Sequence, residues 1–166
     1  MKWNTVKEFA DWYVSNNYPL RPPFDSPVYT TSISYSYILY REGQYQAELY
    51  LVKPNSSSPE HSHPGVENIV MILGGNVGGT LNGEVQDNSV LASQANADGT
   101  SKLFGCFGQT LTENSKHSLT TGATGGAFIS FEKWPEGVKP YSVTENWEGA
   151  SIDNNHIIRK INDNNN

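Results

Sequence analysis

An all-β fold, a sandwich or small barrel with one short N-terminal helix, is what this sequence predicts. Three observations carry that reading. Apolar residues alternate with polar ones in short runs from residue 32 onward, glycine and asparagine pairs interrupt those runs at close intervals, and helical spacing of apolar residues occurs once, near the start. The chain has 166 residues, enough for one domain with a substantial core. Charged residues make up only 17%, below the usual quarter, which argues against long solvated helices.

The helix comes first. Val6, Phe9, Ala10, Tyr13 and Val14 follow helical spacing between Thr5 and about Asn16, and Thr5 with Glu8 three residues later has the form of a capping box. Pro19, Pro22, Pro23 and Pro27 forbid the helix from continuing and predict an extended strap packed across the domain, anchored by Phe24 and Tyr29. Residues 1–30 therefore read as helix plus strap.

Strands follow over residues 31–134. Ile33, Tyr35, Tyr37 and Leu39 alternate with Ser32, Ser34 and Ser36, the pattern of a half-buried strand that Arg41-Glu42-Gly43 turns back into a second strand, Tyr45 to Lys53. Pro54 to Pro59 is a loop by composition. Asn68 to Leu73 is apolar on both parities, so its strand is covered on both faces. Gly74-Gly75 and Gly78-Gly79 read as punctuation, and Asn82-Gly83 as a tight two-residue hairpin with positive φ at both positions. Further strands are predicted near Lys102 to Phe107, Gln109 to Leu111 and Ala127 to Trp134. Residues 135–166 lose the alternation and end in a frayed Asn-rich tail.

Composition also bounds function. Eleven basic against seventeen acidic residues leave a net charge of −6, which disfavours nucleic acid and anionic membranes as partners. No apolar run approaches the roughly 18 residues of a membrane span, and the N-terminus lacks the apolar stretch of a secretory leader, so a soluble cytoplasmic protein is the expectation. The single Cys106 excludes an intrachain disulfide and, among Leu103, Phe104 and Phe107, reads as core filler.

The chemistry-bearing segment is Glu60-His61-Ser62-His63-Pro64-Gly65-Val66-Glu67. On a strand His61 and His63 project to one face, and Glu67 keeps their parity after a short turn. Two imidazoles and a carboxylate suit Fe(II), Mn, Ni or Zn. Glu48, Tyr50, Gln109, Glu132 and Trp134 fall on strands expected to line or rim the barrel, where an acid, a base or a stacking platform could stand. His156 lies in a polar tail and reads as a surface residue.

His61-x-His63-x3-Glu67-x6-Gly74 resembles the first sequence motif of the cupin superfamily, with Asn55 where that motif opens on glycine. Of the second motif only its histidine is met, at His117, with Cys106 and Asn114 at the two glycine positions, Thr112 at the proline and Thr121 at the asparagine. The resemblance covers about residues 45–134. It implies a cupin-like jelly-roll β-barrel, a divalent metal held by His61, His63, Glu67 and His117, and a homodimer paired through the N-terminal segments. The related 2-oxoglutarate oxygenases are disfavoured, since their carboxylate two residues after the first histidine is here His63.

Three functional classes stay open on the sequence. One is a metal-dependent small-molecule enzyme with dioxygenase, isomerase or lyase chemistry, its catalytic residues unassigned. The second is a non-catalytic barrel for a small molecule or sugar, for which four Trp, nine Tyr and six Phe supply stacking surface. The third is an assembly protein that uses the jelly-roll as scaffold. Only three arginines occur, Arg21, Arg41 and Arg159, so a phosphorylated substrate is disfavoured against a neutral or weakly charged one.

Overall fold

The computed structural model describes residues 2–21, 27, 29–58, 60, 66–86, 103–104, 117–137 and 140. Helix α1 spans Val6–Ser15. Thr5 caps it, its hydroxyl accepting from the Glu8 amide at 3.1 Å, while the Glu8 carboxylate accepts from the Asn4 amide at 2.8 Å, one residue earlier than a reciprocal capping box would place it. Of the proline strap, Pro19 offers its carbonyl to the Tyr13 hydroxyl. Residues 22–26 and 28, and the side chain of Tyr29, lie outside the described residues.

Seven strands follow: β1 (Tyr29–Thr30), β2 (Ser34–Glu42), β3 (Tyr45–Val52), β4 (Glu67–Leu81), β5 (Glu84–Gln86), β6 (Leu103–Phe104) and β7 (His117–Lys133). They form one antiparallel sheet in the order β1-β2-β3-β7-β4-β5, with β6 paired to β4. No helix among the described residues is long and apolar enough to cross a membrane.

The two long strands β4 and β7 pair along nearly their whole length, from Glu67↔Lys133 to Leu81↔His117. The register shifts between Ile72 and Gly74 and again between Gly75 and Val77. The glycines read as punctuation in the sequence thus bend the strand without ending it. Gly75 takes φ +77° with the carbonyl of Gly125 where a Cβ would stand, so only glycine lets the two backbones cross this closely. Beyond the bend the ribbon folds back over itself. One apolar cluster joins Val70, Ile72, Tyr50 and Phe128 of the first half to Val77 and Leu119 of the second.

The first half of the sheet is buried on both faces. Its outer face carries Tyr45, Ala47, Leu49, Ile69, Met71, Ile129 and Phe131, covered by Trp3, Val6, Phe9, Ala10 and Tyr13 of the N-terminal segment. Phe9 sits at the centre of this layer, with ring centroids 4.9 Å from Trp3, 5.4 Å from Tyr45 and 5.8 Å from Phe131. Because the helix supplies an apolar lid, β2 turns Ser34 and Ser36 inward and leaves Tyr35 exposed. Large neighbours across the register, Val52 opposite Ser34 and Tyr50 opposite Ser36, fill the space above these small residues.

The hairpin at Asn82-Gly83 joins β4 to β5 with φ +49° and +85°, as the dipeptide demands. The turn between β2 and β3 lies at Gly43-Gln44, two residues later than the start of the Arg41-Glu42-Gly43 signal. Near residues 102–107 only the short β6 is described, and the strand expected at 109–111 and all of 141–166 lie outside the described residues.

Candidate functional site

Alternation along β3, β7 and β4 sends every second residue into the barrel, and the register stacks them in rows. One row is Arg41, Gln46, Glu132 and Asn68; the next holds Ile38, Glu48, Ser130 and Val70; a third holds Ser36, Tyr50, Phe128 and Ile72. The first two rows carry the polar chemistry. Gln46, Glu48 and Glu132 are fully buried.

These groups hold one another. Glu132 Oε2 accepts from Gln46 Nε2 and from Trp134 Nε1, each at 2.9 Å. Gln46 Oε1 in turn accepts from Arg41 Nε at 3.0 Å and from its NH2 group. Asn68 Nδ2 donates to Ser130 Oγ at 3.1 Å. Burial, reinforced by the neighbouring charge of Glu48 and a hydrogen bond with it, holds the Glu132 carboxyl well above the usual carboxylate range. The bonds from Trp134 and Gln46 act in the opposite sense. Burial lowers the Arg41 guanidinium to about 10, with the charges of Glu132 and Glu48 opposing the shift, so it stays cationic at neutral pH. Glu132, its carboxyl held in the protonated form by burial, thus stands beside the Arg41 guanidinium in its own row and beside Glu48 of the next. A charge buried in this way costs several kcal/mol of desolvation, which well-packed apolar side chains would avoid.

Of the four residues expected to hold a metal, two are described. His117 is buried, 7% exposed, at the start of β7, with Leu119 and Thr121 buried at the alternate positions after it. The fold-back lays this half of the ribbon over the half that carries Glu132. Glu67 is exposed and pairs with Lys133, which pairs in turn with Tyr45 on the helix-covered face. Its charge is felt by the Tyr45 hydroxyl, whose pKa is raised mainly by burial, then by Glu8 and Glu67. His117 suits a nitrogen ligand inside the barrel; Glu67, as it stands, does not share that face. His61 and His63 lie outside the described residues, as do Gln109, Cys106 and His156. The flanks of the histidine segment are described: the Ser58 amide donates to the Leu119 carbonyl at 2.8 Å, and Val66 is buried in the inner cluster. Among the described residues no three His, Cys, Asp or Glu side chains converge as a metal cluster.

Glu48, Tyr50, Glu132 and Trp134 are buried toward the interior, on strands expected to line or rim the barrel. Sequence reasoning missed Gln46, Asn68 and Arg41. Gln46 and Asn68 share the parity of Glu48 and of Val70, a signal available once the inward face is chosen.

No family model and no curated protein matches this chain. Solved structures do. KdgF from Halomonas sp. is similar with a TM-score of 0.51 at 12% identity, over 66% of this chain and 86% of that one. An RmlC-like cupin from Shewanella frigidimarina NCIMB 400 gives a TM-score of 0.48 at 11% identity, over 74% and 88% of the two chains. A conserved protein with a double-stranded β-helix domain from Klebsiella pneumoniae gives 0.46 at 14%, over 84% and 94%. At such identities the likeness to KdgF concerns the fold alone.

Proposed function

We propose a cupin-type barrel that binds a divalent metal through His117 together with His61 and His63, and takes a small, neutral or weakly charged molecule at its inner polar rows. The observation that carries this reading is the buried His117, inward on the half of the ribbon that folds over Glu132 and Asn68. A divalent metal there would act as a Lewis acid toward a bound oxygen, whatever the reaction. The chain's own side chains supply the rest. Glu132 and Glu48 can hold or hand over one proton at the barrel interior, while Gln46 and Trp134 fix the position of the Glu132 carboxyl. Arg41 gives its Nε and Nη2 to Gln46, so one edge of the guanidinium is spent on holding the polar row. With only three arginines in the chain, a neutral or weakly charged ligand is favoured over a phosphorylated one.

The test is the metal content of tag-free protein, measured by elemental analysis, beside His117→Ala. About one divalent ion per chain, lost in the variant while the fold persists, supports the reading. Protein that takes up no Fe, Mn, Ni or Zn overturns it, and small-molecule binding without metal would favour the non-catalytic barrel.

A further inference from the structure

We infer that the oxygen donor this barrel offers to a metal is the side-chain carbonyl of Asn68, and that Glu67 is not a ligand. The inference rests on the metal-binding reading above and departs from the ligand set that the motif spacing implies.

Adjacent strand residues face opposite sides of a sheet, so Glu67 and Asn68 cannot both look inward. Ile69 and Met71 share the parity of Glu67 and are packed under the helix, whereas Val70 and Ile72 share that of Asn68 and belong to the inner cluster. Turning Glu67 inward would require a one-residue slip that exchanges both sets between their faces. The buried pairing of Ile69 with Phe131 and of Ile72 with Phe128 forbids it.

Asn68 is 3% exposed and stands beside Glu132 in the register. Its Nδ2 is committed to Ser130 Oγ, which fixes the amide, and its Oδ1 has no hydrogen-bond partner among the described residues. A buried carbonyl oxygen left unsatisfied costs about 1–3 kcal/mol, and side-chain amide carbonyls are established oxygen ligands of divalent ions. Glu67, by contrast, already lies at the surface beside Lys133, whose ammonium donates to the Asn4 carbonyl at 3.0 Å.

The experiment titrates zinc into tag-free, chelator-stripped full-length protein against a chromogenic competitor, comparing wild type with Glu67→Gln, Asn68→Ala and Asn68→Asp. Glu67→Gln should bind within about twofold of wild type, and Asn68→Ala should bind about tenfold or more weakly, the loss typical of a disturbed metal shell. Asn68→Asp keeps the shape and adds a charge, so it should bind at least as tightly, and it serves where the alanine variant fails to fold. Affinity lost in Glu67→Gln but kept in both Asn68 variants overturns the inference alone. A wild type that takes up no zinc, and no Fe, Mn or Ni by elemental analysis, overturns the metal reading and this inference with it.

Discussion

Replacing Glu132 by glutamine tests the inner carboxyl pair directly. Glu132 accepts through Oε2 from Gln46 and Trp134, and its carboxyl lies within the field of Glu48. A carboxamide reproduces this pattern: its oxygen accepts the same two bonds, and its NH2 takes the place of the second carboxyl oxygen without a titrating proton. In the native state Glu132 keeps its proton well above 4.5, the ordinary glutamate value it regains on unfolding. The folded state therefore binds more protons than the unfolded state once pH exceeds 4.5, and stability falls as pH rises. The contribution is whole below the ordinary value and is lost as pH climbs through the raised one. One retained proton makes the slope up to about 1.4 kcal/mol per pH unit, or about 3–6 °C in Tm per unit for a domain of this size. Thermal unfolding of wild type and Glu132→Gln at pH 5, 6 and 7 should show curves that diverge, with the variant gaining on wild type as pH rises. Glu48→Gln should shrink the same slope, because the charge of Glu48 helps raise its neighbour. Parallel curves for wild type and Glu132→Gln would refute the retained-proton argument.

Two further outcomes follow from packing. A Cβ on Gly79, at φ +145°, would stand 1.9 Å from the Ser118 carbonyl oxygen, whereas one on Gly83, at φ +85°, meets nothing within 4 Å. Gly83→Ala should therefore cost only the backbone strain, about 1–2 kcal/mol, and Gly79→Ala about 1–3 kcal/mol more from overpacking; equal losses in urea unfolding would contradict the close strand crossing. Phe9→Ala, at the centre of the helix-facing layer, should cost about 3–5 kcal/mol, with loss of the near-UV aromatic signal as α1 undocks; a loss under about 1 kcal/mol would mean the helix contributes little to this layer.

The elements that depend on local chemistry were legible in the sequence. Thr5 and Asn82-Gly83 act through backbone geometry within a few residues, and both do what their type dictates. The double burial of Asn68 to Leu73 was legible because apolar residues on both parities need cover on both sides. What alternation alone could not supply was direction. The serines of β2 face inward because a distant helix occupies the other side, and no property of residues 32–39 announces that helix. Strand length was under-read at Gly74-Gly75, where glycine marks a bend that keeps its ladder. The candidate site divides in the same way. Glu132 and Trp134 were reachable because their strand was expected to line or rim the barrel, but Glu67 was assigned inward from its parity with His61 and His63 across a turn and from motif spacing, and the register of β4 with β7 puts its neighbour Asn68 there.

The folded-over β4–β7 ribbon also sets an order in time. Asn68 and Glu132 meet only across a ladder whose second strand is the last one described, so the chain emerging from a ribosome carries three of the four members of each inner row and completes none until β7 has left the exit tunnel. Closing pairs so far apart in sequence is slow compared with forming α1 or the Asn82-Gly83 hairpin. Until then the inner faces of β3 and β4, with their carboxyl and amide groups, stand open to water, and the barrel gains its interior and its chemistry in the same event.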